Sequence, residues 1–67
     1  MRSVEQIKKI YKKGTKVELV RMADRFAPSA GTKGVVICVD DIGTVHVAWE
    51  DGSSLGVCLE VDTIKRI

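Results

Sequence analysis

Short apolar segments separated by glycine-marked turns make up most of the chain after Gly14, and they restrict the fold more than any other feature. The clearest segment is residues 44–49, in which every second residue from Val45 to Trp49 is large and apolar. This alternation predicts a half-buried β-strand, because successive strand side chains point to opposite faces. Residues 40–43 and 50–52 flank it and have the composition of tight hairpin turns.

The other β-type segments complete a small all-β pattern. They are residues 16–22, 35–39, 53–58 and 63–67. Residues 23–33 contain Pro28 and Gly31 and predict a long loop, and residues 59–62 predict one helical turn. Five short strands with two hairpin turns favour a small SH3-like barrel over a sandwich. Closing the sheet into a barrel would also remove exposed strand edges.

Residues 4–13 have the periodicity of an amphipathic helix. Apolar residues form one narrow stripe: Val4, Ile7, Ile10 and Tyr11. Ser3 and Gln6 have the spacing of a capping box, and Gly14 is suited to end the helix. A helix this short is marginal by itself, so its stripe must dock on its own barrel or on a neighbour's. We predict one domain over residues 1–67, with a helix at 4–13 and a barrel at 14–67.

Charge is distributed unevenly along the chain. Residues 1–25 carry eight basic and three acidic side chains, whereas residues 26–64 carry one basic and six acidic side chains. The small net charge of +2 therefore combines a basic segment with an acidic one, and such asymmetry bears on the choice of partner.

Cys38 and Cys58 are the only cysteines, and His46 is the only histidine. These three residues form neither a CxxC pair nor the ligand set of a zinc site. Buried thiols that pack as small apolar side chains are the simpler interpretation. A disulfide between neighbouring strands is the alternative.

Catalysis is not expected from these residues. A nucleophile, a base and an orienting group must converge in a cleft, and a barrel of 67 residues has little room for one. His46 is better explained as a solvent-facing strand residue, and Asp40 and Asp41 as turn formers. The acidic residues lack calcium-loop spacing, and residues 31–34 lack the spacing of a phosphate-binding loop. We predict no enzyme activity, no cofactor and no metal.

Several sequence blocks occur together in a recognisable order. They are Gly14-Thr15-Lys16-Val17, then Met22 with Asp24, Phe26 and Pro28, then Gly31-Thr32-Lys33-Gly34, the run from Val39 to Trp49, and Asp51-Gly52-Ser53-Ser54-Leu55-Gly56. Together they resemble domain of unknown function 4314, a bacterial and phage family, over roughly residues 14–62. The resemblance implies an SH3-like barrel and no particular activity. The chain departs from the family pattern at residues 58–60, where a proline and a glycine are expected. A weaker similarity extends to KOW and Tudor-like barrels.

Trp49 has two interpretations. It packs in the barrel core or at the barrel rim on the face of Val45 and Val47, or it stands partly exposed at the mouth of a groove with Phe26 and Tyr11. In the second arrangement the aromatic rings would stack a base or grip a peptide.

Two binding functions follow. In the first, the barrel binds an extended protein segment through the 23–33 loop and a groove beside Trp49, and the acidic turns suit a basic peptide. In the second, basic side chains contact the phosphates of a nucleic acid in a salt-sensitive, sequence-independent way. The residues for that contact are Lys8, Lys9, Lys12, Lys13, Arg21 and Arg25.

The sequence also predicts a soluble, cytoplasmic protein that does not enter a membrane. The first residues lead directly into the charged helix and do not resemble a signal peptide. No apolar run approaches the length of a membrane span.

Overall fold

The computed structural model describes residues 3–67 and contains one helix and five strands. In chain order they are α1 (Val4–Ile10), β1 (Lys16–Arg21), β2 (Lys33–Val39), β3 (Val45–Trp49), β4 (Gly56–Val57) and β5 (Thr63–Arg66). The strands form one antiparallel sheet in the order β4-β3-β2-β1-β5. This confirms the predicted small all-β barrel of five strands with a short N-terminal helix.

The sheet bends because two strands contain bulges. The register shifts between Leu19 and Arg21 where β1 pairs with β5, and between Val36 and Cys38 where β2 pairs with β3. An extra residue on one strand of a pair kinks it and increases its twist. Within residues 3–67, β4 and β5 do not pair with each other, so a turn over residues 58–62 spans the remaining gap.

Alternate strand residues fill the interior. The largest fully buried side chains are Leu19, Val17, Val36, Val45, Val47 and Val57. Trp49 joins them with 4% exposure, and its Nε1 donates to the carbonyl oxygen of Leu55 at 3.0 Å. The core position of Trp49 is therefore the observed one. Opposite it, a Cβ added to Gly34 would lie 2.9 Å from Trp49 Cε3 and 2.5 Å from Val47 Cγ1, so this pairing requires a glycine.

Helix α1 docks on its own barrel. The capping box is present, with the Ser3 hydroxyl accepting from Gln6 N at 3.2 Å and Gln6 Oε1 accepting from Ser3 N at 2.9 Å. Ile7 and Tyr11 are buried in the core cluster. The predicted boundary at residue 13 is wrong, since the helix ends at Ile10. It ends early because the backbone leaves the helical conformation at Tyr11, which has φ −108° and ψ 64°. Gly14, at φ +90°, then donates its N–H to Val36 O on β2 at 2.8 Å.

The predicted burial of both cysteines is also wrong, because Cys38 and Cys58 are exposed, free thiols. The bulge in β2 puts Cys38 opposite His46, whose side chain faces outward. Cys58 directly follows the buried Val57, so strand alternation turns its side chain away from the core.

The fourth strand is shorter than predicted, because it contains only Gly56–Val57 rather than residues 53–58. The carbonyl oxygen of Ser53 accepts the backbone N–H of Trp49 at 3.0 Å, and the carbonyl oxygen of Leu55 accepts the indole N–H of Trp49. Residues 53–55 therefore belong to the turn between β3 and β4 rather than to β4. The predicted helical turn is present at residues 58–62, where Cys58 O accepts from Val61 N at 3.0 Å and from Asp62 N at 2.8 Å.

Candidate functional site

The hairpin between β2 and β3 is held rigid by Asp40. Its Oδ1 accepts the N–H of Ile42 at 3.1 Å and of Thr44 at 2.9 Å, and its Oδ2 lies 2.9 Å from His46 Nε2. The hydrogen bonds from His46 and from the Thr44 backbone hold the pKa of Asp40 below its ordinary value. Asp40 is thus a turn former, as predicted, and His46 is its partner rather than a free histidine.

The fixed hairpin exposes an apolar tip beside the helix. Ile42 is 84% exposed. Directly after it, Gly43 at φ +86° passes so close to the helix that an added Cβ would lie 3.3 Å from Ile7 Cδ1. An exposed ion pair between Lys8 Nζ and Asp41 Oδ1, at 3.3 Å, also links the two elements, although such pairs add little stability.

Asp62 fixes the turn over residues 58–62. It is the buried acidic residue of the described chain, at 8% exposure. Its Oδ1 accepts from Ala23 N at 2.8 Å and its Oδ2 from Cys58 N at 3.0 Å. One carboxylate therefore joins this turn to the start of the loop that follows β1.

These three elements border a half-open groove of about 610 Å³. Its lining residues come from α1, from the β2–β3 hairpin and from the turn: Val4, Ile7, Ile42, Gly43, Thr44, Cys58, Leu59 and Glu60. The lining is mostly apolar, with Glu60 as its one charged member. A concave apolar site with few polar groups suits the burial of an apolar side chain. We refer to it below as the groove.

No metal centre is formed within residues 3–67, where no group of three His, Cys, Asp or Glu side chains is arranged to hold an ion. His46 is engaged by Asp40 at 2.9 Å. The polar side chains in the groove lining are those of Thr44, Cys58 and Glu60.

The predicted basic residues fall into two groups. Lys8 and Lys9 lie on α1, and Lys12 and Lys13 lie in the turn before β1, all four exposed. Arg21 ends β1 and Arg25 follows in the loop, both exposed. A strand of this length separates its ends by roughly 16 Å. The lysines therefore lie in the chain before β1 and the arginines at or beyond its other end, and Arg25 lies over the ring of Phe26.

Phe26 lies at the tip of the loop between β1 and β2. Asp24 Oδ1 accepts the N–H of Phe26 at 2.7 Å, and Asp24 O accepts from Ala27 N at 3.0 Å. Phe26 is 73% exposed, and the guanidinium carbon of Arg25 lies 5.2 Å from its ring centroid. The loop, defined here as the Phe26 loop (residues 22–32), presents a hydrophobic ring with a cation on its face.

The family model described as "Domain of unknown function (DUF4314)" matches residues 1–67. The chain belongs to this family. The match extends the resemblance over residues 14–62 to the whole chain, helix included. No curated protein and no solved structure matches it. The family description names no activity, so the chemistry of the groove follows from its own residues.

The expected aromatic groove around Trp49 is not the groove that the structure shows. Trp49 and Tyr11 are both buried in the core, which leaves Phe26 as the exposed ring of the three. The observed groove lies between α1, the hairpin and the 58–62 turn. No helix among the described residues has the length and apolar character needed to cross a membrane.

Sequence reasoning missed Ile42 and Asp62 as site residues. Ile42 carried a usable signal, because a large apolar residue inside an Asp-and-Gly turn has no local reason to be there. Nothing in the sequence marks Asp62, because its hydrogen bond joins it to Ala23, which is distant in sequence and is brought near only by the fold.

Proposed function

We propose that this domain is a non-enzymatic binding module that takes an apolar side chain of a protein or peptide into the groove. The observation that carries the proposal is an apolar groove of about 610 Å³ with the exposed Ile42 on its wall. An extended segment with one large anchor residue would fill it, and its neighbouring residues would cross the rim.

The charges around the groove favour a basic segment. Glu60 lines the groove, and Asp41 precedes Ile42 with its carboxylate fully exposed apart from the Lys8 contact. Acidic side chains at this rim attract lysine and arginine and repel a phosphate backbone. We therefore propose a peptide whose aromatic or large aliphatic anchor is flanked by basic residues.

The groove walls are set before binding. Asp40 fixes the hairpin and Asp62 fixes the turn through charge-assisted hydrogen bonds. Walls that do not have to be ordered by the ligand lower the entropic cost of binding. A single anchor still buries little surface, so we expect weak, transient binding with a Kd on the order of 100 µM.

The test is an amide-shift NMR titration with the capped peptide Lys-Lys-Phe-Lys-Lys. We expect saturable shifts at Ile42, Gly43 and Leu59, and no such shifts with Lys-Lys-Ser-Lys-Lys or Glu-Glu-Phe-Glu-Glu. Ile42→Asp removes the response, whereas Ile67→Ser, which changes an exposed apolar residue outside the groove, leaves it unchanged. Groove amides that stay unshifted at millimolar Lys-Lys-Phe-Lys-Lys would contradict the proposal.

A second candidate is phosphate-backbone binding by the lysines. It is favoured by Lys9, Lys12 and Lys13, which are exposed and form no ion pair within the described part of the chain. A DNA duplex at low salt should then shift the amides of residues 8–16, and the shifts should fade steeply with added salt. A duplex that causes no shifts at low salt would remove this candidate.

We also propose that the domain works in a bacterial cytoplasm. Two free, exposed thiols fit a reducing compartment, where disulfides are rare. Labelling intact cells with a membrane-impermeant thiol reagent tests this, because cytoplasmic Cys38 and Cys58 would react only after lysis. Labelling before lysis would contradict it.

A further inference from the structure

The exposed Phe26 loop has the chemistry that the groove selects, and both belong to the same chain. We infer that the groove of one copy receives Phe26 of a second copy, and that the two copies do this reciprocally. This inference rests on the proposed function and names its partner. Phe26 is 73% exposed, so it does not occupy its own groove.

The two surfaces are opposite in charge. Arg25 covers one face of the Phe26 ring at 5.2 Å, and Arg21 precedes the loop. The groove is bordered by Glu60, whose carboxylate forms no ion pair within residues 3–67, and by Asp41, which is paired with Lys8. When Phe26 enters the groove of a second copy, its basic neighbours reach this acidic rim. Such complementarity specifies the partner and its register.

Size and shape agree with this pairing. An aromatic side chain buries about 150–250 Å² and prefers concave apolar surroundings. The groove is half-open, and its volume of about 610 Å³ leaves room for a phenyl ring against its apolar lining. Asp24 Oδ1 accepts the N–H of Phe26, so the backbone that carries the ring is already held in a turn before binding.

The positions of the two surfaces favour a closed pair of copies. Asp62 bonds both Ala23, at the start of the Phe26 loop, and Cys58, which lines the groove. Because loop and groove are neighbours on one chain, two copies related by a two-fold axis can form both contacts at once. Val61, which is exposed in the turn over residues 58–62, would add apolar surface to this interface.

The predicted interface is small, because each copy contributes one ring and a few apolar neighbours. It falls below the size of stable protein complexes. We therefore expect a monomer–dimer equilibrium with a dissociation constant on the order of 100 µM rather than a permanent dimer.

Sedimentation equilibrium from about 10 µM to about 1 mM tests the inference with four chains. The wild type should shift from monomer to dimer, and Phe26→Ser and Ile42→Asp should each stay monomeric. An equimolar mixture of these two variants should associate again, but more weakly than the wild type, because the mixed pair can form one of the two ring–groove contacts. Ile67→Ser serves as the matched control and should behave as the wild type. Both test residues are strongly exposed, so the variants should fold, which circular dichroism verifies.

A second experiment exchanges the charges of Arg25 and Glu60. Arg25→Glu should weaken dimerisation about tenfold, and Glu60→Arg in the same chain should restore most of it, since each copy supplies both partners. A double variant that associates no better than Arg25→Glu alone would overturn the charge pairing.

The outcomes separate this inference from the proposed function. A wild-type chain that is monomeric at 1 mM and still binds Lys-Lys-Phe-Lys-Lys would overturn the dimer and leave the groove intact as a peptide site. Dimers that survive Ile42→Asp, or larger open assemblies, would also overturn it. Dimers dissociated by the peptide would support both.

Discussion

The β2–β3 hairpin and the Phe26 loop contain the same local hydrogen bond but differ in how firmly their tips are held. In each, an Asp Oδ1 accepts the N–H of the apolar residue two positions later, at 3.1 Å for Ile42 and 2.7 Å for Phe26. In the hairpin, Asp40 also binds Thr44 and His46, and the turn packs on the helix. In the loop, the side chain of Asp24 accepts from Phe26 N alone, and the ring is mostly exposed with Arg25 over one face.

A third turn shows that this hydrogen bond from an Asp side chain does not by itself produce an apolar surface. Asp51 Oδ1 accepts the N–H of Ser53 at 2.9 Å in the β3–β4 turn, where the residue two positions on is polar. Turn geometry is therefore common to all three. The apolar tips at Ile42 and Phe26, with opposite charges around them, distinguish the two surfaces that we assign to binding.

The largest effect is expected at Asp62, which accepts hydrogen bonds both from the Phe26 loop and from the turn that lines the groove. Asp62→Ala leaves the N–H groups of Ala23 and Cys58 without an acceptor, and should lower the free energy of unfolding by about 3 kcal/mol. That is a large part of the stability of a small domain. Urea unfolding measures it. Asp62→Asn keeps one acceptor oxygen and should lower the free energy of unfolding by about half as much. If the wild type and both variants were equally stable, Asp62 would not be what connects the loop to the turn that lines the groove.

The next prediction compares the two turns directly. Asp40→Ala removes the acceptor for two backbone N–H groups and the partner of His46, whereas Asp24→Ala removes the acceptor for one. Thermal unfolding should therefore show a larger decrease in Tm for Asp40→Ala. Hydrogen exchange at Thr44 should rise in that variant and stay unchanged in the other. A larger decrease for Asp24→Ala would reverse the proposed order of rigidity.

The two turns should also differ in acid. The pKa of Asp40 in the folded chain lies below its ordinary value of 3.8 because of His46 and the Thr44 N–H. A depressed carboxyl pKa stabilises the fold above pH 3.8 and ceases to do so as the pH falls through the folded value. Urea unfolding at pH 7 and pH 3 should show a smaller acid-induced loss for Asp40→Asn than for the wild type. Identical losses would contradict this role of Asp40.

The smallest effect on stability is expected at the tips. Ile42→Ser and Phe26→Ser should each change the free energy of unfolding by less than about 0.5 kcal/mol, because both side chains are mostly exposed. Their effect should appear in association and peptide binding instead. A loss above about 2 kcal/mol for either variant would show that the tip is a structural residue.

Much of the fold could be predicted from residue patterns. Alternation from Val45 to Trp49 gave the correct inward face, and the capping box at Ser3 gave the correct start of the helix. The bulge between Val36 and Cys38 could not be predicted, because nothing in a run of β-branched residues marks an extra residue in one strand. A shift of one residue reverses which side chains face the core, and this explains why Cys38 is exposed.

The site was harder to predict than the fold. Of the proposed binding residues, Phe26, Arg21 and Arg25 carry the dimer inference, but Trp49 is a core residue. The groove depends on contacts between elements that are distant in the chain, such as Gly43 with Ile7. The sequence indicates that Ile42 is unusual in its turn, whereas the groove beside it can be recognised only in the folded structure.

The pairing of β1 with β5 has a consequence for how the chain is made. Val17 pairs with Arg66, so the first strand acquires its second neighbour only after nearly all of the domain has been synthesised. Contacts so distant in sequence slow folding, because a long loop must close first. During translation β1 keeps one unpaired edge, so the barrel should be completed only once residues 63–66 have left the ribosome, and ribosome-bound chains lacking them should remain sensitive to protease.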